Sequence, residues 1–343
     1  MKALQLSVVW LACLSGVTLW AQSTLSKALL VLAKQDQALE IVDPVTLKVM
    51  VAIPAGPDPH EVVAAPDGKL AFVSNYGGGA YNTITVVDLL AQKPLTRVDL
   101  GALRGPHGLA YAGGKLYFTA EVNKVIGRYD PVTQTIDWVL GTGQNRTHMI
   151  VVSKNLDHIF TSNVNSGTIS IIEKTSSGGF SADRTGGAGP EKSDWDETVI
   201  QTGRGTEGFD VSPDEKELWS ADAQDGTVSI IDLATKKVVR TLQANVKGAN
   251  RLKFTPDGRF VLVSTLFGGG DLAVFDTSSR RELKRVKVGR GAAGILLSPE
   301  GTRAYVACSP DNYVAVIDLK TLEVVGHIDT RRQPDGLAWV ARQ

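Results

Sequence analysis

The sequence predicts an all-β protein, a seven-bladed β-propeller of four-stranded antiparallel blades whose ring is closed by the C-terminal strand in blade 1. Three observations carry this expectation. Pro213, Pro256 and Pro299 stand 43 residues apart and mark a repeat through the C-terminal half. Each repeat holds four short apolar segments separated by turn signals. One strand is missing at the front of the repeat series and one is left over at the back.

The repeat is plainest in FDVSPDEKELWSADAQDGTVSIIDLATKKVVRTL, LKFTPDGRFVLVSTLFGGGDLAVFDTSSRRELKRV and ILLSPEGTRAYVACSPDNYVAVIDLKTLEVVGHI. An apolar strand leads to a Pro-Asp or Pro-Glu turn, a second strand and a polar loop. A third strand then ends in aspartate and a fourth follows a short turn. Earlier blades use Pro66-Asp67-Gly68 and Gly113-Gly114 for the first turn. Asp43, Asp88, Asp130, Asp232, Asp276 and Asp318 end the third strands, with Glu173 in the fourth blade. An acid fixed in that slot accepts backbone hydrogen bonds from the turn after it, a structural role.

Blade 1 begins directly with KALLVLAKQDQALEIVD, and PDGLAWVARQ supplies its innermost strand from the other terminus. That pairing covers both edges that an open ring would expose. Strand alternation places the entry to each first strand and the loop between strands two and three on one face, called the top. Residues 175–195 of blade 4, rich in Gly, Ser, Asp and Lys, are expected as a loop insertion on the bottom face.

The opening MKALQLSVVWLACLSGVTLWAQS has the short apolar core and small-residue junction of a secretory signal, predicting a signal over 1–21 and cleavage before Gln22. A lipoprotein signal at Cys13 is the alternative. Residues 22–343 then form one exported propeller, periplasmic or secreted, expected as a monomer, with no transmembrane segment. Cys308 is left alone in an apolar strand, which excludes an intrachain disulfide and fits a small buried hydrophobe. Lys and Arg total 36, as do Asp and Glu, so no net field favours nucleic acid or an anionic membrane.

One column of the repeat concentrates chemistry. His60, His107, His148 and Glu207 occupy the entry to the first strand in four successive blades, and Asn250, Ala293 and Asp335 continue the series. Ring closure turns these residues toward one mouth of the channel. Three imidazoles and a carboxylate suit one divalent ion, zinc or another transition metal, with Glu207 as a fourth ligand or a general base. They equally suit a metal-free polar ligand. Arg146 and Arg251 flank the column and are expected to reach an anionic group, while Tyr76 and Tyr81 in a top loop could cover an organic one. His158 and His327 fall outside the column and are expected to be structural or exposed.

SPDE...LWSADAQDGTVSIIDLATKKVV, TPDG...VLVSTLFGGGDLAVFD and SPEG...AYVACSPDNYVAVIDLKT resemble the YVTN family of seven-bladed β-propellers over the whole mature chain. PHEVVAAPDGKLAFVSN and PHGLAYAGGKLYFT are similar to blades of streptogramin-lyase-like propellers. That second resemblance implies histidines holding a metal at the channel, here His60, His107 and His148. Lactonase propellers are similar at the level of fold. The G-x-S-x-G, G-x-x-x-x-G-K, H-E-x-x-H and C-x-x-C-H motifs are all missing. Three functions follow: a top-face binder of a small molecule or protein, a metal-dependent lyase or hydrolase at the same mouth, or a passive interaction scaffold.

Overall fold

The structure, a computed structural model, describes residues 27–177, 192–267 and 269–341. The expected signal and its cleavage point lie outside the described residues. Among those residues, seven antiparallel sheets of four strands each form the blades of a propeller. Blade 1 runs from the inside outward as Pro334–Ala341, Lys27–Ala33, Ala38–Asp43 and Lys48–Pro54. Blades 2 to 7 follow in chain order over 59–99, 106–141, 147–201, 206–242, 249–287 and 292–329.

Closure of the ring is therefore the one read from the termini. Leu29 pairs with Trp339 and Val31 with Leu337. The driving force is apolar burial, because Leu29, Leu30, Val31, Leu32 and Ala33 are all fully buried. At about 1.5–3 kcal/mol for each large side chain, this segment is far more stable inside the ring than peeled from it. Each junction between neighbouring blades has its own apolar cluster, including Tyr305, Val314 and Val316 of blade 7 against Leu29 and Val31 of blade 1. Outer strands alternate instead, as in Thr135–Gly141, where every second residue is exposed.

The acids that end the third strands cap turns. Asp88 Oδ1 accepts from the amides of Leu90 and Ala91, both at 2.8 Å, and Asp318 Oδ1 accepts from Lys320 and Thr321 at the same distance. Glu173 departs from this pattern because its strand does not turn there. The third and fourth strands of blade 4 run as Thr168–Ser177 and Lys192–Gln201 and remain paired to their ends. The insertion expected as a loop over 175–195 thus contributes strand at both ends, and residues 178–191 lie outside the described residues. Freed from capping, Glu173 pairs with Lys236 of blade 5 and lies 3.3 Å from His158 Nε2. Cys308 is fully buried and desolvation pushes its thiol up to about 12, so it acts as a hydrophobe.

Candidate functional site at the top of the channel

Every innermost strand carries an irregularity at its start. In blade 2 the pairing passes from Pro59 opposite Asn75 to Val62 opposite Val73, which inserts one extra residue, a β-bulge. The same shift occurs between Pro106 and Leu109, Thr147 and Ile150, Thr206 and Phe209, Ala249 and Leu252, and Ala292 and Ile295. Each bulge contains the column residue and its successor, freed from the ladder. Hydroxyls of the second strand replace the lost bonds: Ser74 Oγ accepts from Glu61 N at 3.0 Å, and Thr119 Oγ1 from Gly108 N at 2.9 Å.

Three tiers of this entry build the site. Two residues before the column the backbone is left-handed in all seven blades, at Asp58, Gly105, Arg146, Gly205, Gly248, Gly291 and Gln333. Glycine takes that conformation without cost, whereas Asp58, Arg146 and Gln333 are held in it against their preference. One residue after the column stand Glu61, Gly108, Met149, Gly208, Arg251, Gly294 and Gly336. The four glycines permit neighbouring inner strands to touch. A Cβ at Gly108 would lie 2.4 Å from the His148 carbonyl, and one at Gly208 2.6 Å from Arg251 Cα. A second column, immediately after each second strand, supplies Lys34, Tyr76 and Glu121 on blades 1, 2 and 3.

The three histidines do come together. Ring centroids of His60 and His107 are 4.8 Å apart, and those of His107 and His148 are 3.7 Å apart. Tyr76 stands edge-on to His60 and His107, its centroid 5.0 Å from each, and its hydroxyl donates to Glu121 Oε2 at 2.6 Å. The other Glu121 oxygen bonds His148 Nδ1, and Arg146 Nε lies 3.7 Å from Glu121. On its far side, His148 Nε2 is 3.5 Å from Glu207 Oε1, an ion-pair distance longer than a good hydrogen bond. Asn250 Nδ2 donates to the same Glu207 oxygen at 3.1 Å. Lys34 Nζ bridges His60 Nε2 at 3.2 Å and Asp335 Oδ2 at 3.1 Å. That leaves the His60 proton on Nδ1, 3.6 Å from Asp58 Oδ2.

Arg251 does not extend toward a ligand. It is buried, donates to the backbone and side-chain oxygens of Asn250 at 3.1 Å, and crosses the channel to pair with Glu61 of blade 2. Of the column residues on the two blades between, 7 and 1, the small Ala293 of blade 7 leaves room for that crossing. Tyr81 stands apart from the histidines. It is 41% exposed, a Cβ at Gly77 would strike its ring, and among the described residues no ring contact joins it to the histidines.

The electrostatics separate the imidazoles. Burial, then the neighbouring His148, holds His107 well below the ordinary histidine value, so it stays neutral. Burial opposes a charge on His148 too, but Glu121 and Glu207 on its two nitrogens outweigh this and raise it. Desolvation disfavours the Glu207 anion, yet His148, Arg146 and Arg251 bring it down to about 2. In these surroundings Glu207 stands as the charge partner of His148. Burial and Glu121 raise the Tyr76 phenol.

Two arrangements could hold a ligand. His60 Nδ1, His107 Nδ1 and His148 Nε2 are buried and have no hydrogen-bond partner. His107, Glu121 and His148, all buried, offer ligand atoms within 4.8 Å of one another, a set suited to a metal ion. Glu121 takes the place in this set that the sequence suggested for Glu207. Its signal was present in the loop TAEVNK, one residue past the second strand, where blades 1 and 2 carry Lys34 and Tyr76.

Residues 198–339 match the Cytochrome D1 heme domain family. No curated protein matches the chain. A functionally unknown protein from Desulfotomaculum acetoxidans shares 13% identity at a TM-score of 0.72, with 92% of this chain and 99% of that one covered. A Bacteroides uniformis protein provisionally assigned as a 6-phosphogluconolactonase is 15% identical at a TM-score of 0.71, covering 92% and 99%. Kuenenia stuttgartiensis hydrazine synthase is 17% identical at a TM-score of 0.66, covering 83% and 90%. At such identities these likenesses concern the fold.

Proposed function

We propose that this chain, a YVTN-like seven-bladed β-propeller, binds a small ligand at the top mouth of its channel, and does so as an exported protein. The observation that carries this reading is the set of unpartnered imidazole nitrogens. Buried polar atoms are nearly always hydrogen-bonded, and leaving one unsatisfied costs about 1–3 kcal/mol. Three such atoms on adjacent blades, beside the half-buried Tyr76 and the buried carboxylates of Glu121 and Asp335, make sense as groups awaiting a partner. His60, His107 and His148 would contact the ligand, with Tyr76, Arg146, Glu207, Asn250 and Asp335 around them. Arg251 supports Asn250, and through it Glu207. Among the described residues no helix is long and apolar enough to cross a membrane.

A second reading, a metal-dependent lyase or hydrolase, rests on the His107–Glu121–His148 group. A divalent ion held there would supply Lewis-acid polarisation or an activated water. In that case Tyr76 would still orient one Glu121 oxygen and Arg146 would balance its charge. Haem, which the matching family's name brings to mind, fits these residues poorly. Residues 198–339 contain one histidine, His327, on an outer strand against Tyr313. His107 and His148 are each 1% exposed, with ring centroids 3.7 Å apart, a crowding that a macrocycle on either nitrogen would have to displace. A passive scaffold remains a third reading, in which the mouth would carry no ligand.

Elemental analysis and native mass spectrometry of the full chain, purified without chelator, test these readings together with His107→Ala. A bound small molecule or a stoichiometric metal, lost in the variant while the β spectrum persists, supports the mouth as the site. A chain that carries and takes up nothing there, or a variant that retains its ligand in full, contradicts it.

A further inference from the structure

The charge on the mouth can be counted, because its members form one connected cluster. Five carboxylates belong to it: Asp58, Glu61, Glu121, Glu207 and Asp335. Three fixed cations belong to it: Lys34, Arg146 and Arg251. With neutral imidazoles the excess is two negative charges, and a single imidazolium still leaves one. On the surrounding rim Arg332 pairs with Asp36, Arg204 with Asp225 and Arg290 with Asp311, while Arg104 donates to the Ala80 carbonyl and stands outside the cluster.

The cations are also committed. Arg251, with a side chain only 6% exposed, is tied to Glu61 and Asn250. Lys34 bridges Asp335 and His60. Arg146 keeps a 34% exposed side chain but lies beside the buried Glu121. Two acids are left without a fixed cation of their own. Asp58 is a third exposed and is held in the left-handed backbone conformation that four other blades give to glycine. Glu207 is 15% exposed and faces His148. Beside these acids sit the unpartnered nitrogens of His107 and His148, both 99% buried, with His148 Nε2 directed at Glu207. Buried imidazole nitrogens next to carboxylates that have no fixed cation of their own form a lining for positive charge.

We propose that the top mouth selects a cation, whether a divalent metal ion or an organic ammonium group, seated at the histidines in the field of Asp58 and Glu207. This deepens the ligand-site reading above and rests on it. It also reverses the anionic ligand that Arg146 and Arg251 suggest in the sequence. The full chain, stripped with chelator, is titrated calorimetrically with Zn²⁺ alone, with propylammonium and with inorganic phosphate. One of the two cations is expected to saturate a single site, and which one responds tells metal from amine. Asp58→Asn and Glu207→Gln should each weaken that binding on the order of tenfold or more, while phosphate shows no saturable site. Glu207→Gln is isosteric and serves alone where Asp58→Asn disturbs the entry loop. Phosphate saturating a site that Arg146→Ala abolishes, with neither cation bound, overturns the proposal and leaves the ligand-site reading standing. Cation binding that both variants leave unchanged, or no saturable binding of any probe, also overturns it.

Discussion

Removing Arg251 should destabilise the whole ring although it touches no apolar core. The pair it makes with Glu61 joins blade 6 to blade 2 across the channel, with side chains 6% and 13% exposed. Those blades lie on either side of the seam at which the C-terminal strand enters blade 1. Breaking a buried ion pair leaves one charge uncompensated and costs about 3–5 kcal/mol. The partial exposure of Glu61 places Arg251→Ala near the lower end, about 3 kcal/mol, or roughly 4–5 °C in Tm for a domain of this size. The loss should be recovered in large part by Arg251→Met combined with Glu61→Leu, since an apolar pair of similar volume requires no charge to be desolvated. Guanidinium unfolding of wild type, both single variants and the double variant measures this, read at constant slope. A single variant within about 0.5 kcal/mol of wild type, the ordinary range for surface substitutions, would refute the clasp. So would a double variant that loses the sum of its singles, because additivity means the two side chains do not interact.

Two further outcomes follow from the same geometry. Gly108→Ala should cost roughly 1–3 kcal/mol, since its Cβ would meet the His148 carbonyl at 2.4 Å; an unchanged unfolding midpoint would mean that the inner strands can part freely. The two buried histidines should give stability opposite dependences on pH. His148 is raised in the folded state, so its contribution is present below about pH 6.5 and is lost as pH rises through its folded value. His107 is depressed, so the unfolded chain gains a proton that the native one refuses, and stability falls as pH drops below about 6.5. His107→Gln should therefore flatten the acid side of the stability profile and His148→Gln the alkaline side, measured by denaturation between about pH 5 and 8. The same sign of change in both variants would contradict the assignment.

The ring, its closure and the histidine column are legible in the sequence because each recurs at a fixed place in a repeat. Strand parity alone puts His60, His107 and His148 at one mouth, and the missing first strand alone sends LAWVA to pair beside LLVLAK. What the sequence hides is which neighbours those residues acquire. Lys34, Tyr76 and Glu121 share one slot of the repeat, but the slot reads Val164, Ala223, Leu266 and Ser309 elsewhere, so no residue type announces it. Asp58 and Arg146 are ordinary loop residues until their left-handed backbone is seen beside four glycines in the same position. Arg251 looks like a free guanidinium because its partner is a glutamate 190 residues away that only the closed ring brings across the channel. The long strands of blade 4 hide for a related reason. Their outer ends, 174–177 and 192–195, carry mostly polar residues that read as loop, and they remain strand by pairing with each other.

The central claim is that the channel mouth is the ligand site, and the imidazole rings report on it most directly. Two-dimensional ¹H–¹⁵N spectra of the stripped chain resolve the ring nitrogens of His60, His107, His148, His158 and His327. His158 lies by Glu173 toward the bottom face and His327 on an outer strand, so both serve as internal controls. Returning the ligand recovered from the unstripped protein should shift the ring nitrogens of His107 and His148 at one equivalent and leave His158 and His327 where they were. Shifts confined to His158 or His327, or none at any ring at saturation, would contradict the account.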